Sequence, residues 1–190
     1  MKFIRELFLR DRHICPWWLA YTFDNPLRQY VHDPRKILGP YLRPGMTAVD
    51  IGCGMGFFSR GMAQLVGDSG TVISADLQQE MLDITRLRAE RDGVLRRIRL
   101  VRVEQGNIGV TDQADLVLGF WMVHEVADLQ AFFRQVFSIL KQTGVFLIAE
   151  PRIHVSRSRF EEILSVARTT GFTISDTPRV RFSRAVVLRK

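Results

Sequence analysis

The chain is short of cysteine, of long apolar runs and of acid, and each shortage removes a class of protein. Two cysteines in 190 residues, Cys15 and Cys53, cannot build a disulfide framework or a thiolate metal cluster, and no metal is expected. No stretch approaches the roughly 18 consecutive apolar residues that suggest a membrane span. The opening MKFIRELFLRDR is charged throughout and lacks the apolar core of a signal peptide, so the expectation is a cytoplasmic protein. Repeats and low-complexity linkers are missing too. The length and the 46% hydrophobic content suit one well-filled domain.

The shortage of acid leaves a net charge of +7, distributed unevenly. Seven arginines lie between Arg86 and Arg102 against Glu90 and Asp92, and nine basic residues face three acidic ones from Arg152 to Lys190. Such faces attract nucleic acid or anionic surfaces. Charge alone is a weak indicator of nucleic-acid binding, and a solvated basic surface is the preferred reading.

What the chain does have is glycine in one place. Ala48-Val49-Asp50-Ile51-Gly52-Cys53-Gly54-Met55-Gly56-Phe57-Phe58 is an apolar strand ending in an acid, three glycines at alternate positions, and the start of a helix. Glycines let backbone amides approach a ligand and adopt positive φ, and a helix start presents unpaired N–H groups. A nucleotide-like ligand follows. The spacing G-x-G-x-G differs from the dinucleotide fingerprint G-x-G-x-x-G, and Asp50 suits a cationic amino group better than a pyrophosphate.

Beyond it the chain alternates strand and helix, the pattern of a parallel α/β sheet. Strands are expected at Met46–Ile51, Thr71–Ala75, Ile98–Val103, Asp115–Gly119, Val145–Ala149, Phe172–Ser175 and about Arg184–Leu188. Helices are expected at Phe57–Val66, from Gln78 to about Arg91, after Asp128, and from a capping box at Ser158-Arg159-Phe160-Glu161 to Gly171. Lys141-Gln142-Thr143-Gly144 reads as a turn. Leu129, Phe132, Phe133, Val136 and Leu140 mark a buried helix face. Asp76 ends the second strand, 20 residues after Gly56, where its two oxygens can accept from adjacent ribose hydroxyls. It could also cap the next helix.

The glycine stretch resembles motif I of the class I S-adenosylmethionine-dependent methyltransferases, and the likeness runs from about Tyr41 to Lys190. The resemblance implies a Rossmann-like α/β fold: a seven-stranded mixed sheet of order 3-2-1-4-5-7-6, strand 7 antiparallel, with helices on both faces. Ligands of such sheets sit at the carboxyl ends of the strands, where the order reverses. It implies S-adenosylmethionine as cofactor and S-adenosylhomocysteine as product. Asp50, Gly52, Cys53, Gly54, Gly56, Phe57 and Phe120 would hold the methionine end, and Asp76 the ribose. Leu77, Met81, Gly106, Asn107 and Ile108 would surround the adenine. Relatives often carry a Gly-Asp-Ala-like segment where this chain has Gly106-Asn107-Ile108. An Asn carbonyl can accept from the adenine amino group, although Asn there is also a common turn residue.

The segment Phe120-Trp121-Met122-Val123-His124-Glu125 lacks the Asn/Asp-Pro-Pro-aromatic tetrad of amino-group DNA methyltransferases. It looks more like the small-molecule branch, including the quinone methyltransferases. His124 is the candidate general base or acceptor-binding group, weighed against a structural histidine. Glu150, in Ile148-Ala149-Glu150-Pro151, is a second candidate, weighed against a salt bridge with Arg152 or another of the many arginines. Residues 1–41 hold all three tyrosines and two of the three tryptophans, with prolines at 16, 26, 34 and 40. They read as short helices broken at Pro16, Asn25-Pro26 and Asp33-Pro34, forming a lid over residues 42–190. Trp17, Trp18, Tyr21, Trp121 and His124 would then line the pocket of a small apolar or aromatic acceptor. Two alternatives are an RNA methyltransferase and a non-catalytic cofactor-binding accessory protein.

Overall fold

The strands run apolar for a reason visible in the sheet. In the computed structural model, which describes residues 27–190, successive residues of the central strands alternate between two cores. Val49, Ile51, Ile73, Val117, Phe146 and Ile148 enter one core; Ala48, Val72, Leu116, Leu118, Leu147 and Ala149 enter the other. A sheet buried on both faces gives continuous apolar runs rather than polar alternation.

The seven strands are β1 (Thr47–Ile51), β2 (Thr71–Asp76), β3 (Ile98–Arg102), β4 (Ala114–Phe120), β5 (Leu140–Pro151), β6 (Thr173–Asp176) and β7 (Ser183–Arg189). Their order is β3-β2-β1-β4-β5-β7-β6. Strands β1 to β5 pair in parallel, and β7 is antiparallel to both β5 and β6. This is the topology that the resemblance implied. The order reverses between β1 and β4, which places the crevice of such a sheet beyond Ile51, Asp76 and Phe120.

Among the described residues six α-helices accompany the sheet: α1 (Leu27–Val31), α2 (Pro34–Leu38), α3 (Phe57–Val66), α4 (Gln79–Arg91), α5 (Leu129–Ile139) and α6 (Arg157–Thr170). On one face α5 and α6 bury Phe132, Phe133, Val136, Phe160 and Ile163. Leu38, Phe58, Met62 and Val66 from α2 and α3 fill the other. Asp128 caps α5 by accepting from the Ala131 amide at 2.9 Å. Asp33 does the same for α2 from Arg35 N, with Pro34 opening the helix.

Two expectations need correction. The cap of α6 is Ser156, whose hydroxyl accepts from Arg159 N at 3.1 Å; Ser158 is already inside the helix. Only Ser158 has an acid three residues on, Glu161, whereas Ser156 has Arg159 there, so the capping-box pattern pointed to the wrong serine. The turn expected at Lys141–Gly144 lies within β5, where pairing jumps from Ala114↔Leu140 to Leu116↔Val145. The extra residues are accommodated as an irregularity in the ladder. Among the described residues, no helix is long and apolar enough to cross a membrane. Trp17, Trp18 and Tyr21 lie outside the described residues.

Candidate functional site

The glycine turn is fastened to the end of β2. Gly52 N and Cys53 N donate to Ala75 O at 2.8 and 3.1 Å, and Gly54 N donates to Asp76 Oδ2 at 2.9 Å. Thr85 of α4 donates its hydroxyl to Gly54 O at 2.9 Å. Gly52, Gly54 and Gly56 have φ of 67°, 54° and 74°, a region that L side chains rarely occupy. Their surroundings differ. A Cβ on Gly56 would meet Thr85 Cγ2 at 2.6 Å and one on Gly52 would meet Met122 at 3.0 Å, whereas a Cβ on Gly54 would meet nothing within 4 Å. Gly56 is therefore glycine for packing, and Gly54 faces open space at the mouth of the crevice.

Asp76 is buried, and each of its oxygens accepts one backbone amide, Oδ1 from Gln78 N and Oδ2 from Gly54 N, both at 2.9 Å. A carboxylate offers about four lone-pair positions, so capacity remains for two hydroxyl donors. Burial raises its pKa, opposed by the amides of Gln78, Gly54 and Leu77. The helix cap and a ligand contact thus coexist at one residue.

Asp50 lies deeper than the sequence implied. It is 2% exposed, accepts from Ser59 Oγ at 2.6 Å, and is pushed up to about 7 by burial, against the Ser59 bond and the charge of Arg28. Arg28, on α1, was not singled out from the sequence. Its guanidinium carbon lies 4.6 Å from the Phe57 ring centroid, 5.6 Å from Phe58, 5.8 Å from Phe120 and 6.0 Å from Trp121. His32, one turn further, donates from Nε2 to Arg181 O (2.8 Å) and meets Phe120 and Trp121 edge-on. Among 27 basic residues, no local pattern marked Arg28.

At the end of β4 the backbone turns sharply. Trp121 has φ 60°, costly for a bulky side chain. It is held there by its amide on Ala149 O (2.8 Å) and its indole N–H on Ser183 Oγ (2.9 Å). The turn carries His124 to Glu150: His124 Nδ1 hydrogen-bonds Glu150 Oε2, and Val123 N donates to Glu150 Oε1 at 2.8 Å. The alternative, a salt bridge from Glu150 to Arg152, does not form; Arg152 Nε donates to Ser183 O instead. Two separately chosen residues are one hydrogen-bonded pair.

On the adenine side the arrangement is looser. Met81 is buried and Leu77 half-buried after Asp76. Gly106 and Asn107 are exposed, and the Asn107 carbonyl already accepts from Gly109 N at 2.9 Å. Ile108 is buried in the core, its amide on Gln135 Oε1 at 3.0 Å. Asn107 is a turn residue first, keeping its NH2 and one lone pair for a base.

The arginines of the 86–102 cluster are largely engaged within the fold. Arg91 pairs with Asp92, Arg97 with Asp68 and Arg99 with Asp112, and Arg88 donates to Met55 O. That is how a solvated, ion-paired surface looks. These groups fit S-adenosylmethionine: open space at Gly54, spare acceptor capacity on buried Asp76, and a cation, Arg28, suited to a carboxylate.

Comparison with known proteins agrees with this geometry. Residues 42–179 match a family model described as a methyltransferase domain. A ubiquinone biosynthesis O-methyltransferase of Methylobacterium sp. (strain 4-46) is 29% identical over 161 residues, covering 76% of this chain and 62% of the relative. A ubiquinone/menaquinone biosynthesis C-methyltransferase UbiE of Legionella pneumophila (strain Lens) is 32% identical over 115 residues, covering 58% and 44%. The chain thus spans roughly half the length of these curated relatives. A crystal structure of a SAM-dependent methyltransferase from Aquifex aeolicus superposes with a TM-score of 0.81 at 21% identity, covering 92% of this chain and 98% of the other.

Proposed function

The chain belongs to the class I S-adenosylmethionine-dependent methyltransferases, and from that premise we propose that it transfers a methyl group to a small apolar or aromatic acceptor. One observation carries the reading: the left-handed glycine turn is open at Gly54 and tied by that residue's amide to Asp76. S-adenosylmethionine, when bound, supplies a methyl group already activated on a sulfonium. The protein's task is then chiefly alignment, which can contribute up to about 7–11 kcal/mol in well-oriented cases.

In this reading Gly52 and Gly54 let the backbone approach the methionine end, with Phe57 and Phe120 beside it. Arg28 holds the carboxylate. Buried Asp50, beneath the turn, provides negative charge for the amino group. Asp76 accepts from the ribose hydroxyls; Leu77, Met81 and Ile108 give the adenine an apolar bed, with Gly106 and Asn107 at its edge. Trp121 and Phe120, stacked with centroids 5.4 Å apart, offer flat apolar surface to an acceptor. Residues 1–41 close over that surface as a cap. Support for the cap comes from Arg28 and His32, both directed onto Phe120 and Trp121. The ubiquinone methyltransferases among the relatives favour a ring-bearing acceptor.

The test is to incubate the protein and methyl-labelled S-adenosylmethionine with cell extract, then follow the label by mass spectrometry. Label is expected in an organic-soluble small molecule. A chain shortened to begin at residue 24 should still bind cofactor but label nothing. Label appearing in RNA would favour the nucleic-acid alternative, and no label despite cofactor binding would favour the accessory-protein one.

A further inference from the structure

Cofactor binding leaves the basic stretch from Arg152 to Lys190 without a task, and its arginines are concentrated in two places. Residues 151–160, leading from β5 into α6, and 177–184, leading from β6 into β7, hold six arginines and no acid. Three hydrogen bonds fasten these loops into one surface: Arg152 N to Phe182 O at 2.9 Å, Arg152 Nε to Ser183 O at 3.0 Å, and Arg184 Nη1 to Val155 O at 2.8 Å. Arg159 pairs with Glu162. Arg157, Arg179 and Arg181 are exposed and have no carboxylate partner among the described residues. This differs from the 86–102 cluster, where arginines find acids of the same fold.

Two large apolar side chains stand within this charge and face water. Ile153 is 88% exposed and Phe182 65%, and the Arg152–Phe182 hydrogen bond makes their backbones neighbours. Single exposed apolar residues are ordinary; an adjoining pair ringed by unpaired arginines marks an interaction surface. Phe182 also has φ 59°, a costly conformation for an aromatic L-residue. Burial does not offset that cost, and glycine would remove it. Arg181 sits beside the ring, its guanidinium carbon 5.9 Å from the centroid, so apolar and cationic groups interleave.

We propose that the loops 151–157 and 179–184 dock on an anionic phospholipid surface. Ile153 and Phe182 enter the boundary between headgroups and acyl chains, and Arg157, Arg179 and Arg181 meet the lipid phosphates. Binding of this kind scales with buried apolar area together with attraction to anionic lipid. A bilayer yields to side chains that project from a surface, and no matching pocket is required of it. RNA would answer the arginines and could stack on Phe182, but Ile153 has no ring to offer a base. A second copy on a two-fold axis would set this acid-free surface against itself, arginine facing arginine.

The position of the surface gives docking a consequence. Ser183 accepts from the Trp121 indole N–H at 2.9 Å, and Arg181 O accepts from His32 at 2.8 Å. The docking loops are therefore one edge of the crevice, and an apolar acceptor reaches Phe120 and Trp121 from the lipid without crossing water. That consequence rests on the methyl-transfer reading, whereas docking itself needs no cofactor.

The experiment is co-sedimentation of the full chain with vesicles of equal parts phosphatidylglycerol and phosphatidylcholine, and with vesicles of phosphatidylcholine alone. Binding is expected to the first and at least tenfold weaker to the second, and to weaken as salt screens the arginines. Arg179→Gln combined with Arg181→Gln should lower the anionic partition by about thirtyfold, at roughly fivefold for each arginine near such a surface. Ile153→Ser combined with Phe182→Gly should lower it by about tenfold or more. Phe182→Gly alone separates docking from a structural role: it should weaken vesicle binding while leaving Tm unchanged or raised, because the left-handed strain is relieved. Equal binding to both vesicle types, binding to neither, or variants that sediment like the unaltered chain would overturn the proposal. So would RNA binding that shares the arginine dependence but is indifferent to Ile153→Ser, or a dimer that these same variants dissolve.

Discussion

Replacing Gly54 by alanine is expected to remove cofactor binding while leaving the fold in place. The two halves of that result have separate causes. A Cβ at Gly54 meets no atom within 4 Å, so the folded protein bears only the strain of an L-residue at φ 54°, about 1–2 kcal/mol. For a chain of this size that lowers Tm by roughly 2–8 °C. The methyl group, however, would stand in the space a ligand must enter for the backbone to reach it. S-adenosylhomocysteine affinity should fall by about a hundredfold or more, some 3 kcal/mol. Gly56→Ala inverts the pattern, because its Cβ collides with Thr85 at 2.6 Å; there stability should fall first. Calorimetry and thermal unfolding of both variants check the pair. Undiminished binding by Gly54→Ala would mean the turn does not face the ligand.

Asp50→Asn is expected to gain stability on the native protein as pH rises. An Asp with an ordinary pKa of 3.8 when unfolded and about 7 when folded keeps its proton longer in the native state. Between those values the native state binds more protons than the unfolded one, so stability falls with rising pH. The penalty is absent below the unfolded pKa, grows through the interval, and is complete above about 7. Its size is about 4 kcal/mol, at 1.36 kcal/mol per pKa unit. Asparagine carries no charge to desolvate and can still accept from Ser59. Urea unfolding of both proteins at pH 4.5 and pH 8 isolates the residue, since every other titration is shared. Curves that stay parallel, or a native protein that gains on the variant at pH 8, would show that Asp50 ionises freely.

How much of this was legible in the sequence depends on how local each cause is. Alternation gave the α/β class and the resemblance alone implied the sheet order, and Asp128 was visible as a cap because its partner is three residues away. Asp76 stood out by its distance from the glycines. The pairing of His124 with Glu150 was not legible: 26 residues separate them, and only the β4–β5 register, Phe120 opposite Ala149, brings them level. Arg28 was hidden for the same reason. Its aromatic neighbours come from the start of α3 and the end of β4, elements that meet only once β1 and β4 pair. The start of α6 was misplaced by two residues because the capping-box acid, Glu161, favours Ser158, while the cap that forms is Ser156, whose hydroxyl accepts from Arg159 N.

The most direct measurement of the central claim is a calorimetric titration of the purified chain with S-adenosylhomocysteine and, in parallel, with NAD. The account predicts binding of the first and none of the second. It also predicts that Asp76→Ala weakens S-adenosylhomocysteine by about 1–3 kcal/mol, the cost of leaving the buried ribose hydroxyls unpaired. NAD binding without S-adenosylhomocysteine binding, or an Asp76→Ala variant with unchanged affinity, would contradict it.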